Sequence, residues 1–131
     1  MLHNMRLDMI GLIVEDIPRS LAFYSRLGMP VDETAVDGPY YECTFSGIRF
    51  SWNALSMIKE IDPHWVPPVG ERSGMAFLAE SPSGVDAKYA EMTAAGYRGV
   101  REPWDAFWGQ RYAQVEDPDG NKVDLFAPLE G

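Results

Sequence analysis

Apolar residues fall into two patterns along this chain, an alternation of period two and a helical spacing of three and four. The two patterns recur in the same order twice. Leu7 to Glu15 reads as an apolar strand. Asp16 then stands where a helix needs an N-cap, with Pro18 in the first turn. Ile17, Leu21, Tyr24 and Leu27 follow at intervals of 4, 3 and 3, one face of a helix that Gly28 ends. Three short strands are predicted next, at about Val31 to Thr34, Tyr40 to Ser46 and Ile48 to Asn53, with Ser46-Gly47 making the last turn. The second half repeats the order. Gly74 to Glu80 is an apolar strand, and Ser83 is placed to cap a helix, with Asp86 three residues on. Val85, Tyr89 and Met92 form that helix's apolar face, and Gly96 ends it. Strands follow at about Gly99 to Glu102, Arg111 to Glu116 and Asn121 to Pro128.

Each half therefore reads as strand, helix and three strands, and a repeated unit constrains the fold more than any single element does. The pattern predicts an α+β chain of two βαβββ modules, module 1 over about 6–54 and module 2 over 73–129. Between them, Leu55 to Ile61 reads as a short helix, and Pro63, Pro67 and Pro68 stiffen the rest of a connector over 55–72.

Composition narrows the function classes. At 131 residues the chain is long enough for one domain with a core. Its formal charge of −9 argues against nucleic acid or an anionic membrane surface as partner, and is compatible with a neutral or cationic small ligand. No apolar run approaches membrane-spanning length, and the N-terminus lacks the pattern of a signal peptide. Cys43 is the single cysteine, so no intrachain disulfide forms; these features predict a cytoplasmic location. Cys43 sits in an apolar alternation and reads as core packing, not as a nucleophile.

The sequence holds few polar constellations that suggest catalysis. There is no Ser/His/Asp or Cys/His pairing and no phosphate loop. Asp117 and Asp119 belong to an Asp-Pro-Asp-Gly turn, where carboxylates serve the backbone first. Arg98, Arg101 and Arg111 make no basic patch in so acidic a chain. Aromatics carry more information. Trp104, Phe107 and Trp108 lie within five residues beside a predicted hairpin, and a Trp in such a place is costly unless the indole covers something. The group reads as a binding wall, or, for Trp108, as a plug at the mouth of the fold. Trp104 either lines the wall or packs on the sheet. Trp52 ends the alternation Ile48, Phe50, Trp52, on a face that is either core or cavity, and Tyr112 is placed to direct its hydroxyl into the cavity.

A family resemblance adds to this. The segments Gly11 to Tyr24, Val85 to Gly96 and Asp117-Pro-Asp-Gly-Asn-Lys-Val-Asp-Leu125 resemble the first strand and helix, the second helix and the last hairpin of the vicinal-oxygen-chelate superfamily. That group includes glyoxalase I, extradiol dioxygenases, fosfomycin-modifying enzymes and bleomycin-type resistance proteins. A narrower match is carried by Gly47-Ile-Arg-Phe-Ser-Trp52, Asp62-Pro-His-Trp65, Pro103-Trp-Asp-Ala-Phe-Trp-Gly-Gln-Arg-Tyr112 and Asp124-Leu-Phe-Ala-Pro-Leu129. These stretches resemble the mitomycin-resistance proteins of antibiotic-producing actinomycetes. That resemblance implies a homodimer with swapped modules, two equivalent concave sites, and drug sequestration without chemistry. It further implies that Trp108 stacks on a flat ligand ring, with Tyr40, behind Pro39, offering the opposing ring from the partner chain.

Enzymes of the superfamily hold one divalent metal through His and Glu or Gln. The corresponding positions here are Met9, Arg49 or Ser51, Gly74 and Asp124, and of these Asp124 alone is suited to ligation. The two histidines, His3 and His64, fall in the N-terminal tail and the connector. The expectation is therefore no metal and no cofactor. Asp124 reads either as a hydrogen-bonded carboxylate near the cavity or as a negative wall for a cationic group. The resulting expectation is a non-enzymatic protein that binds a small planar or cationic organic ligand through Tyr40, Trp52, Trp104, Phe107, Trp108, Tyr112 and Asp124. The alternative is a glyoxalase-like lyase or isomerase, or a dioxygenase, with an atypical or absent metal site.

Overall fold

A computed structural model of the chain describes residues 5–70 and 73–129; His3 lies outside them. The chain divides into two compact units between Val66 and Pro67, within the segment expected as a connector.

The first unit runs β1 (Met9–Val14), α1 (Ile17–Arg26), a 3-10 turn (Glu33–Ala35), β2 (Tyr40–Phe45), β3 (Ile48–Ala54) and α2 (Leu55–Ile61). Asp16 caps α1, its carboxylate accepting from the Arg19 amide at 3.0 Å. The predicted apolar face is the buried one: Ile17, Leu21 and Tyr24 are at most 4% exposed, and Phe23 joins them. The sheet order is β1-β3-β2, with β1 parallel and β2 antiparallel to β3. Ser46 and Gly47 both take positive φ, the conformation of a tight two-residue hairpin turn.

One predicted strand is absent from this unit. Val31 to Thr34 does not pair. Asp32 instead accepts hydrogen bonds from the Thr34 amide and hydroxyl, at 2.9 and 2.6 Å, and winds the chain into the 3-10 turn. This local side-chain-to-backbone bonding competes with strand formation. The first unit is thus one strand short of the pattern.

The second unit has the full order: β4 (Met75–Leu78), α3 (Pro82–Ala94), β5 (Arg98–Ala106), β6 (Gln110–Glu116) and β7 (Lys122–Pro128). Its sheet order is β4-β7-β6-β5, with β4 parallel to β7 and the other pairs antiparallel. Helix α3 packs on β5, β6 and β7. Ala113, Val115, Val123, Leu125 and Ala127 face it and are at most 2% exposed. Ser81, not Ser83, caps α3: its hydroxyl accepts from the Gly84 amide at 3.1 Å, and Pro82 takes the first helical position. Asp86 is no capping partner either; it pairs with Arg111. Gly99 leaves room for the Tyr89 ring against β5, where any Cβ would collide with the phenol.

Strand β5 is longer than predicted. It continues through Pro103 and Trp104 to Ala106, with register shifts between Gly99 and Arg101 and between Arg101 and Trp104. It is an edge strand, where a proline and bulges are tolerated. The class is therefore α+β, with a three-stranded and a four-stranded sheet, and no helix among the described residues is long and apolar enough to cross a membrane.

Candidate aromatic binding wall

Strands alternate their side chains, so the face of the second unit's sheet turned away from α3 carries Gln110, Tyr112 and Gln114 from β6 and Asp124 and Phe126 from β7. Register puts Trp104 beside Tyr112 and Arg101 beside Gln114. The three steps along β5 from Arg101 to Trp104 thus match two along β6. In a regular strand residues three apart point to opposite faces. The bulge brings Arg101 and Trp104 to the same one, with the guanidinium 4.2 Å from the indole centroid.

Trp108 follows in the β5–β6 turn, where Gly109 supplies a positive φ. Its ring lies edge-on to three others, Phe107 at 4.9 Å, Tyr112 at 5.2 Å and Trp104 at 5.6 Å. Its indole N–H donates to Gln110 Oε1 at 2.8 Å. Trp108 is nevertheless 47% exposed and Phe107 90%. The result is a rigid aromatic wall open to solvent, made of residues clustered in sequence and fixed by a hairpin.

Four of the expected site residues, Trp104, Phe107, Trp108 and Tyr112, come together here. Asp124 lies two strands from Trp104 on the same face, its carboxylate accepting from Gln114 Nε2 at 2.8 Å. Tyr40 lies in the first unit, 39% exposed, its hydroxyl directed at the Met9 sulfur at 3.8 Å. Trp52 departs from the expectation. It is fully buried on the helix side of its sheet, its N–H donating to Ser20 Oγ at 3.1 Å and its ring edge-on to Tyr24 and Tyr41. Of the two faces open to it in the sequence, it takes the core. The wall also holds residues that sequence reasoning passed over. Gln110 and Gln114 orient Trp108 and Asp124, and Arg101 stacks on Trp104. The signal for Arg101 is a bulge, which residue spacing does not announce.

The remaining polar residues serve structure. Asp117, 4% exposed, accepts from the amides of Asp119 and Asn121 and from the Asn121 side chain at 2.8–2.9 Å, and so fixes the last turn. Arg111 binds Asp86 and Asp105 on the helix side of the sheet. Burial, with Glu42 nearby, raises the Cys43 thiol above its ordinary range, the opposite of what a nucleophile needs.

The residues at the expected metal positions do not fit a metal. Arg49 is tied to Asp8 and Glu42 at 2.6 and 2.7 Å, bonds that hold its guanidinium firmly charged. Ser51 is buried and accepts from Asn53, Met9 offers a thioether, Gly74 offers nothing, and Asp124 is engaged by Gln114. Among the described residues no three His, Cys, Asp or Glu side chains gather in a metal-holding group.

Known proteins agree on the fold. Similar solved structures include a glyoxalase/bleomycin resistance protein/dioxygenase from Nocardioides, 23% identical over 100% of this chain and 88% of that one, with a TM-score of 0.75. A glyoxalase/bleomycin resistance protein/dioxygenase family enzyme from Burkholderia phytofirmans is 18% identical over 95% of this chain and 100% of that one, with a TM-score of 0.83. A protein of unknown function from Agrobacterium tumefaciens is 24% identical over 98% of each chain, with a TM-score of 0.68. At such identities the likeness is one of fold. No curated protein matches the sequence. The model of one family covers residues 6–125, nearly the whole chain. The chain belongs to the glyoxalase/bleomycin resistance protein/dioxygenase superfamily, the vicinal-oxygen-chelate group.

Proposed function

We propose that this protein binds and sequesters a small, flat, partly apolar organic molecule without transforming it, in the manner of the mitomycin-resistance proteins that its sequence resembles. The observation that carries this reading is the exposure of Trp108 while three rings and Gln110 hold it still. A pinned, half-exposed indole loses little freedom when a flat ring stacks on it, and each such stack contributes about 0.5–1.5 kcal/mol beyond burial. Asp124, a carboxylate of this face placed where the superfamily's enzymes hold a ligand, is already engaged by Gln114, which weighs against a lyase or dioxygenase. Tyr40 is the ring we propose a second copy of the chain to lay over the ligand, in a homodimer with two such sites. Calorimetric titration of metal-free protein with mitomycin-, bleomycin- and quinoxaline-type compounds tests the reading. Saturable micromolar or tighter binding with unchanged ligand recovered is the expected result. Near one divalent metal per chain on elemental analysis, or turnover of the bound compound, is the result that overturns it.

A further inference from the structure

We infer that the ligand of the aromatic wall presents an oxygen acceptor, conjugated with its flat ring, to the indole N–H of Trp104 beside the Arg101 guanidinium. This rests on the reading of the wall as a binding site and names the polar end of what it binds. The two indoles of the wall differ in one respect. Trp108 Nε1 is satisfied by Gln110, whereas Trp104 Nε1 is buried and has no hydrogen-bond partner. A buried donor left unmet is a cost to the folded protein, and such groups are few in native structures. The second observation is Arg101. Arg49, Arg98 and Arg111 each hold a carboxylate. Arg101 forms no ion pair among the described residues, and its guanidinium rests on the Trp104 ring.

An unmet N–H and an unneutralised guanidinium on one ring call for the same thing, a lone pair carrying negative charge. A ketone or flat amide oxygen and an ionised aryl carboxylate share that chemistry. A cationic group lacks the lone pair and is repelled by Arg101. Asp124, the carboxylate that would favour a cation, lies two strands away from Trp104, on β7. The overall charge of −9 therefore does not set the sign of the ligand at this wall. Arg101, packed on the Trp104 ring, is exposed and makes no ion pair among the described residues, so it can turn aside for an incoming atom.

Three naphthalenes substituted at one ring position separate the possibilities by calorimetry on the full chain: the acetyl ketone, the carboxylate and the aminomethyl cation. The ketone and carboxylate are expected to bind about tenfold tighter than the cation. Trp104→Phe keeps a ring but drops the N–H. It is expected to weaken both oxygen ligands about tenfold and leave the cation within about twofold. Arg101→Gln, in turn, is expected to weaken the carboxylate more than the ketone. A preference for the ketone alone or the carboxylate alone identifies which source of the oxygen the site takes, and either supports the inference. Equal affinity of all three for the wild type, or an equal loss of all three in Trp104→Phe, overturns the inference and leaves the aromatic wall standing. No binding by any of the three overturns both. The wild-type ranking needs no variant, so the inference stays open to refutation even if Trp104→Phe does not fold.

Discussion

Trp52 and Trp108 put the same side chain to opposite uses, and their substitutions should separate cleanly. Trp52 is fully buried with its N–H satisfied. Trp52→Ala is expected to cost roughly 3–5 kcal/mol of folding stability, the range for emptying a large aromatic from a core. Trp108 faces solvent. Trp108→Ala should cost about 1 kcal/mol of stability or less, yet roughly 2–4 kcal/mol of ligand affinity, as a buried hot spot would once the ligand covers it. Chemical denaturation and titration of the same two variants check both. If Trp108 were a plug, the pattern would invert. A third residue reports on its surroundings through pH. Hydrogen bonds from the Thr34 side chain and then its amide hold the Asp32 carboxyl below the ordinary aspartate range. Its folded value is the depressed one, so its contribution to stability is present above the unfolded value and fades as pH falls through the folded one. Thr34→Val should move the Asp32 titration, followed by NMR, upward toward the ordinary range.

Element boundaries answer to local chemistry, and the two helices show how. Asp16 and the interval from Ile17 to Tyr24 identify α1 in the sequence because cap and apolar face agree. For α3 two serines compete, and spacing alone favours Ser83. The structure selects Ser81 because Pro82 takes the first helical position and carries the start two residues earlier. Ser81→Ala should therefore destabilise by about 1 kcal/mol, and Ser83→Ala by only a few tenths; thermal melts of the pair check the assignment. The strand expected at Val31 to Thr34 failed for the same kind of reason, since its alternation was overruled by Asp32 bonding to its own neighbour two residues on. The wall was legible through Trp104, Phe107, Trp108 and Tyr112, which are close in sequence. Arg101 and the core placement of Trp52 were not, because both depend on which face a strand turns, and a bulge or a packed helix decides that.

At the scale of the whole molecule, the duplicated pattern carried the fold correctly even with one strand missing, because the parallel pairs β1–β3 and β4–β7 are closed by the helices that the sequence marks most strongly. The proposed assembly follows from the distribution of rings. Tyr40 stands exposed in the first unit and Trp108 in the second, and a homodimer gives each an opposing surface. Light scattering at micromolar concentration is expected to report twice the mass of one chain, and Tyr40→Ala to weaken ligand binding by less than Trp108→Ala, the two losses failing to add. A single-chain mass with full affinity retained would remove the shared-site arrangement.

The irregularity in β5 has a consequence for how this site can vary. Arg101 and Trp104 share a face although they are three residues apart, because the bulge takes one of the residues between them out of the alternation. Deleting Glu102 or Pro103 would restore regular pairing while keeping every aromatic and the arginine. Residues two apart in a regular strand share a face, so the Trp104 indole would stay on the wall beside the guanidinium. Recognition at this wall is thus encoded in the kinds of residue and their register, and the bulge absorbs a change of one in their count. Two relatives with the same arginine and tryptophans, one with this bulge and one a residue shorter between Arg101 and Trp104, should hold the same molecule.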